Sequence, residues 1–197
     1  MNLYRITYYR PAAALLEAQA YLDARALFEE LFALPEGGES YLDAHTLYLD
    51  TFYYPISDAM AAEDYAGARM LLAEFIALDA TNESHRETRR LRRESYYTPA
   101  QQAVNGGDYE SALTLLESLY DLDPEYADTR TLLTNTYFQL GRAAINRSEL
   151  VQARSYLESL RAINPEFRDL ETLLSQVYYD LAQSELTATE TVSRWEN

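Results

Sequence analysis

The chain has 197 residues, a formal net charge of −16 and no cysteine, and all sixteen of its basic Lys/Arg positions are arginine. The absence of cysteine excludes disulfide bonds, thiol catalysis and cysteine-ligated metal sites. The negative charge disfavours nucleic acid and anionic lipid as partners and favours cationic or neutral ones, because phosphate binding needs concentrated positive charge.

The sequence contains no pattern typical of a membrane protein. No apolar run approaches the roughly 20 residues that a membrane-spanning helix needs. The opening Met1–Arg5 is polar, so we expect no secretory leader and no membrane insertion. Composition leaves the cellular compartment open.

A regular repeat runs along the chain and is marked by four alanines spaced 44, 44 and 41 residues apart. These alanines are Ala24, Ala68, Ala112 and Ala153. Large apolar residues follow each alanine by four and by seven positions, a spacing that indicates one face of a helix. They are Phe28, Leu72, Leu116 and Leu157, then Leu31, Phe75, Leu119 and Leu160.

An aromatic residue stands sixteen positions before each of these alanines. The series is Tyr8, Phe52, Tyr96 and Tyr137, and Tyr178 continues it once more. The chain therefore contains four full units and a fifth that is incomplete. Met1 falls in mid-helix by this register, so we expect either a shortened first unit or a segment of a longer protein.

Turn residues predict where the helices begin and end. Pro55 and Pro99 fall inside predicted helices, where we expect kinks or breaks. Asn105–Asp108 supplies glycine to end one helix and aspartate to cap the next. Asp123–Glu125 and Asn164–Glu166 each combine a cap, a proline and an acid, which predicts a helix start at both places.

The last full unit resembles the tetratricopeptide repeat, in which the pattern W-x2-L-G-x2-Y is followed by A-x3-F and then by proline. The residues that carry the resemblance are Tyr137, Leu140, Gly141, Ala144, Ala153, Leu157 and Pro165. The other units match more loosely. Because each unit exceeds 34 residues, we expect the first helix of every pair to be extended, for example from Glu125 to about Asn146.

The resemblance implies an all-α, right-handed solenoid of about nine antiparallel helices, namely four pairs and a C-terminal capping helix. We expect a single solenoid over residues 1–197. Its units lie at about 1–35, 36–79, 80–123 and 124–164, followed by a capping helix at 165–186 and a tail at 187–197.

A second ring follows each repeat aromatic, and we call this set the ring ladder. It consists of Tyr9, Tyr53, Tyr97, Phe138 and Tyr179. The resemblance implies that these rings face the concave groove and bind a peptide or protein, together with Gln101 and Arg142 on the same face. The alternative is that the ladder packs one repeat against the next.

Five of the sixteen arginines stand between residues 86 and 93. Arg89, Arg92 and Arg93 are candidates for contact with an anion or an acidic peptide. The alternative is a solvated helix whose arginines pair with acids of neighbouring helices, because like charges one turn apart otherwise destabilise it.

No catalytic, metal or cofactor motif is present, and the two histidines lack ligand spacing. The sequence therefore predicts a non-catalytic protein–protein interaction scaffold without a cofactor. Two alternatives stay open, namely a self-assembling structural subunit and the docking or regulatory part of a larger protein.

Overall fold

The computed structural model describes the backbone of residues 2–34 and 38–195 and the side chains of residues 4–34 and 38–187. The described residues form nine α-helices and two short 3-10 turns and contain no strand, which confirms the all-α prediction. The helices are α1 (Asn2–Glu17), α2 (Tyr21–Phe32), α3 (Ala44–Ala61), α4 (Tyr65–Leu78), α5 (Thr88–Gly106), α6 (Tyr109–Leu122), α7 (Thr129–Asn146), α8 (Leu150–Ile163) and α9 (Leu170–Trp195).

The chain divides into two compact units, residues 1–95 and residues 96–197. Within the first unit α1 packs on α2, α2 on α3 and α3 on α4. Within the second unit α6 packs on α7, α7 on α8 and α8 on α9. Consecutive helices thus pack as in a helical-repeat solenoid, as expected. A single solenoid across the whole chain stays a prediction.

The repeated apolar positions form the core of each unit. All four repeat alanines have no solvent exposure, and the residues four and seven positions later are at most 1 % exposed. A fully buried alanine at the first position allows the neighbouring helix to pack closely. Gly141 in α7 serves the same purpose, since a Cβ there would lie 2.8 Å from Cδ2 of Leu157 in α8.

The turns between the two helices of each pair share one backbone conformation. Gln19, Glu63, Gly107 and Ser148 have φ angles of 60°, 58°, 78° and 59°. Asp108 then caps α6 by accepting a hydrogen bond from the Ser111 amide at 3.1 Å, as the sequence predicts.

Two predicted helix starts are wrong by about one turn. α7 begins at Thr129 rather than near Glu125, and α9 begins at Leu170 rather than near Pro165. Ala127 and Asp169 adopt positive φ angles of 49° and 66°, which no helix continues through. Part of the extra length of each repeat is therefore turn rather than helix. α9 also continues to Trp195, through most of the predicted tail, of which residues 196 and 197 lie outside the described residues.

The helix breaks expected at two prolines do not occur. α3 runs through Pro55 and α5 runs through Pro99. Each proline leaves one backbone carbonyl without its usual N–H donor. Arg25 donates to the carbonyl of Thr51, and Arg69 donates to the carbonyl of Ser95, so both carbonyls are satisfied. Among the described helices, none is both long and apolar enough to cross a bilayer.

Candidate functional site

In the first unit the ladder rings Tyr9 and Tyr53 are half-buried, each with one edge against a second aromatic ring. Tyr9 meets Tyr41 with ring centroids 5.6 Å apart and planes at 78°. Tyr53 meets His85 at 5.9 Å and 81°. Both second rings come from the segment that leads into the next pair of helices. These edge-to-face contacts hold the ladder rings in place.

The second unit repeats the arrangement. Tyr97 meets Tyr126 at 5.6 Å and 87°, and Phe138 meets Phe167 at 5.0 Å and 44°. Tyr179 is 61 % exposed and has no ring contact within the described residues.

Sequence reasoning missed the second rings, which we call the connector rings. They are Tyr41, His85, Tyr126 and Phe167, spaced 44, 41 and 41 residues apart. Helix periodicity cannot reveal them because they lie between helices, but the repeat spacing alone identifies the set. The ladder therefore takes part in packing between successive helix pairs and still keeps solvent-accessible ring surface.

Two ladder hydroxyls donate hydrogen bonds to carboxylates that lie just before the first helix of the next pair. Tyr9 donates to Asp43, and Tyr97 donates to Asp128 with an Oη–Oδ1 distance of 2.7 Å. These hydrogen bonds, followed by burial, raise the pKa of Tyr9 and of Tyr97 to about 12. Both phenols consequently stay protonated at neutral pH and are fixed in direction.

The residue four positions after each ladder ring differs between the units. In the second unit Gln101 donates to the Tyr97 hydroxyl at 3.2 Å, and the Arg142 guanidinium carbon lies 5.6 Å from the centroid of Phe138. In the first unit the same positions hold Ala13 and Ser57, whose side chains are too short to cover a ring. The two predicted companions of the ladder thus contact it directly.

A cavity of about 520 Å³ adjoins the first ladder ring. Its lining residues are Tyr9, Ala13, Leu16, Glu17, Gln19, Tyr21, Asp43, Leu47 and Tyr54. We call it the Tyr9 cavity. Its lining combines phenol rings, aliphatic side chains, the Gln19 amide and two carboxylates, and among the described residues it includes no arginine or histidine.

The arginine-rich segment is largely engaged with carboxylates. Arg86 donates hydrogen bonds from Nε and Nη2 to the two carboxylate oxygens of Asp50, at 2.5 Å each. Asp50 is 1 % exposed, and His85 Nε2 lies 2.8 Å from its Oδ1. The hydrogen bond to Asp50 raises the pKa of Arg86, so this arginine is a permanent partner of a buried acid.

The three predicted anion-contact arginines have different environments. Arg92 forms an ion pair with Glu83 at 2.5 Å, and Arg93 donates from Nε to the carbonyl of Arg89 at 3.2 Å. The Arg89 side chain is exposed and forms no ion pair with a described residue. An anion contact at this segment stays a prediction, and Arg89 is the side chain best placed for it.

Both histidines line one cavity of about 490 Å³, next to Asp79. The sequence separation of 40 residues concealed this juxtaposition. His85 is already bound to Asp50, and the described residues contain no group of three or more His, Asp or Glu side chains arranged to hold a metal ion. The positions of the two histidines therefore support a role in packing rather than in metal binding.

Comparison with protein families agrees with this architecture. Residues 104–144 match a family model described as tetratricopeptide repeat. The match covers the end of α5, all of α6 and most of α7, and so includes the buried Ala112 and Leu116. No curated protein and no solved structure shows a significant match to the chain.

Proposed function

We propose that the chain is a non-catalytic scaffold that binds a peptide or protein segment along the ladder-bearing face of its first helices, because residues 104–144 match the tetratricopeptide repeat family and consecutive helices pack as in a helical-repeat solenoid. Tetratricopeptide repeats generally mediate protein–protein interaction and are typically not enzymes. That family property supports the class of function. The choice of face is supported by the ladder itself.

The single observation that carries the choice of face is that four of the five ladder rings, Tyr9, Tyr53, Tyr97 and Phe138, are half-buried. A ring held by an edge-to-face contact loses little conformational entropy when a partner covers its remaining surface. Tyrosine also combines a large apolar area with a polar group, which is why it is enriched at the centres of protein interfaces.

The test uses peptides selected by the wild-type chain from a phage-displayed random library. A variant with Tyr53→Ala, Tyr97→Ala and Phe138→Ala should lose those peptides. A matched control, Tyr65→Ala with Tyr109→Ala, removes two half-buried tyrosines from the second helices α4 and α6 and should retain them. Circular dichroism checks that both variants remain folded. Unchanged binding by the folded ladder variant would overturn the choice of face.

A second candidate function is self-association through α9. Tyr179 and Leu186 on this helix are each 61 % exposed, an arrangement that favours burial against another surface. Light scattering across a concentration series should detect a dimer or a larger assembly, and Tyr179→Ser with Leu186→Ser should abolish it. A monomer at all concentrations would exclude this candidate.

A further inference from the structure

The Tyr9 cavity brings together three tyrosines from three helices. Tyr9 comes from α1, Tyr21 from α2 and Tyr54 from α3. Tyr21 and Tyr54 are stacked with centroids 6.3 Å apart. Glu17 and Asp43 add two carboxylates to the lining. A cation beside aromatic rings and near carboxylates is attracted both by the ring quadrupoles and by the negative charge.

Two of the three tyrosine hydroxyls of this cavity already donate hydrogen bonds to carboxylates. Tyr9 donates to Asp43, and Tyr21 donates to Asp58 at 2.9 Å. Burial, and then the hydrogen bond to Asp58, raise the pKa of Tyr21 to about 12. A phenol that donates to a carboxylate becomes more electron-rich, and its ring then attracts a cation more strongly. At Tyr9 and Tyr21 the cavity therefore offers a ligand ring faces and carboxylate oxygens rather than free hydroxyl donors.

Other ladder rings already hold an arginine of this chain. The Arg86 guanidinium carbon lies 5.6 Å from the centroids of Tyr53 and Tyr54, and Arg142 lies at the same distance from Phe138. At the first ladder ring, the residue equivalent to Arg86 is Leu42 and the residue equivalent to Arg142 is Ala13. Within the described residues, Tyr9 therefore lies beside rings and acids as its counterparts do, but no arginine lies over its ring.

The arginine that lies over the Tyr54 ring is engaged elsewhere. Arg86, whose guanidinium carbon is 5.6 Å from the Tyr54 centroid, is bound to both oxygens of Asp50 and does not line the cavity. The net charge of −16 gives the chain a field that concentrates basic partners near its surface.

We propose that the Tyr9 cavity binds an arginine side chain of a basic partner segment, with the guanidinium against the tyrosine rings and its N–H groups directed at Glu17 and Asp43. Arginine fits better than lysine because its planar guanidinium stacks on rings and forks to carboxylates. This assignment rests on the proposed scaffold function and names the partner chemistry at one position of the ladder.

The direct test uses N-acetyl-arginine methylamide as the probe, with its citrulline analogue as a neutral isostere. Nuclear magnetic resonance of the tyrosine ring protons follows binding. The arginine probe should shift the ring signals of Tyr9, Tyr21 and Tyr54, and the citrulline probe should bind about tenfold more weakly. Equal binding of both probes, or equal shifts at Tyr97, would overturn the assignment, because either result indicates unspecific contact.

A substitution in the chain separates occupancy from folding. Ala13→Arg places an arginine four residues after Tyr9, in the register where Arg142 contacts Phe138, and removes no tyrosine. It should abolish the probe shifts. The control Gln101→Arg introduces an arginine at the equivalent position, four residues after Tyr97. It should leave the probe shifts of the Tyr9 cavity unchanged. Probe binding by Ala13→Arg equal to that of the wild type would overturn the proposal.

The ladder variant distinguishes failure of this assignment from failure of the proposed function. Tyr53→Ala, Tyr97→Ala and Phe138→Ala leave every lining residue of the Tyr9 cavity in place. Loss of peptide capture with retained arginine shifts supports both proposals. Retained peptide capture contradicts the ladder function, whereas absence of arginine shifts in the wild-type chain contradicts only the cavity assignment.

Discussion

The Nη2 group of Arg25 donates a 3.1 Å hydrogen bond to the carbonyl of Thr51, the one carbonyl of α3 that Pro55 leaves without its helical donor. Nε of the same guanidinium donates to the Thr51 hydroxyl at 3.2 Å. Arg69 and Ser95 form the same contact one repeat later, and Ser95 stands four residues before Pro99. A proline can stand inside these helices because an arginine of the preceding helix replaces the missing N–H.

The first prediction concerns this replacement. Arg25→Met should lower the free energy of unfolding by about 1–3 kcal/mol, because the buried Thr51 carbonyl loses its donor. Adding Pro55→Ala restores a backbone N–H and should recover much of that loss. Urea denaturation of the four members of this cycle gives the coupling energy.

A matched control is Arg154→Met in α8. Arg154 occupies the equivalent position, but the corresponding residue of α9 is Leu181, which has its own N–H. The control should change stability by less than about 0.5 kcal/mol. The Arg25 guanidinium carbon also lies 3.3 Å from the Phe52 ring centroid. A loss in Arg25→Met that Pro55→Ala does not reduce would show that Arg25 stabilises the chain through this ring contact rather than through the carbonyl.

The second prediction concerns the buried acid Asp50. Arg86→Met leaves a carboxylate that is 1 % exposed with only His85 as partner, and it should destabilise the first unit by about 3 kcal/mol. Arg86→Met with Asp50→Asn removes the unpaired charge and should recover part of the loss. Thermal and urea unfolding measure both. If the double variant is no more stable than the single one, the charge itself is not the cause.

The third prediction concerns the left-handed turn residues. Glu63 has a φ of 58°, which costs a residue with a Cβ about 1 kcal/mol relative to glycine. Glu63→Gly should therefore stabilise the chain by about 0.5–1 kcal/mol. Gly107→Ala is the reciprocal variant and should destabilise by a similar amount, although a Cβ at Gly107 meets no atom within 4 Å. If urea denaturation shows that Glu63→Gly raises and Gly107→Ala lowers the free energy of unfolding, the backbone conformation is the cause of both changes.

The fourth prediction concerns alkaline pH. Tyr9, Tyr21 and Tyr97 have pKa values of about 12 in the folded chain, above the ordinary value of 10. A raised pKa means that the folded state holds the proton more tightly, so this stabilisation is complete below pH 10 and is lost between pH 10 and 12. Tyrosinate absorbance should show a late-ionising class, which Tyr97→Phe reduces by one residue. Asp128→Asn should instead lower the pKa of Tyr97 toward 10, because the hydrogen bond to the carboxylate is lost. A titration curve that neither variant changes would show that Tyr97 does not belong to the late-ionising class.

Much of the fold can be predicted from the sequence because the spacing of apolar residues along each helix shows which face is buried. The repeat alanines and the apolar residues four and seven positions later lie on one helical face, and all of them are buried. The tight turn ending in Asp108 can also be predicted locally, because Gly107 supplies the positive φ and Asp108 caps the helix that begins directly after it. The family match at residues 104–144 lies within the repeats identified from this spacing.

The helix starts before α7 and α9 could not be predicted correctly. Asp123 and Asn164 stand next to proline and resemble caps, but the backbone turns for several residues more before each helix begins. Ala127 adopts a positive φ, which alanine does not favour, so this turn could not be predicted from the residue type.

The sequence by itself determined the repeat, its register and the identity of the core, since these depend on a helical period written within each unit. Only the tertiary structure decided what the ladder rings contact, which acids engage the arginines and where a cavity lies. Tyr9 and Asp43 are 34 residues apart, and Arg25 and Thr51 are 26 apart. Contacts at such separations depend on how neighbouring helices pack, and the 3.6-residue period of a single helix does not encode that packing.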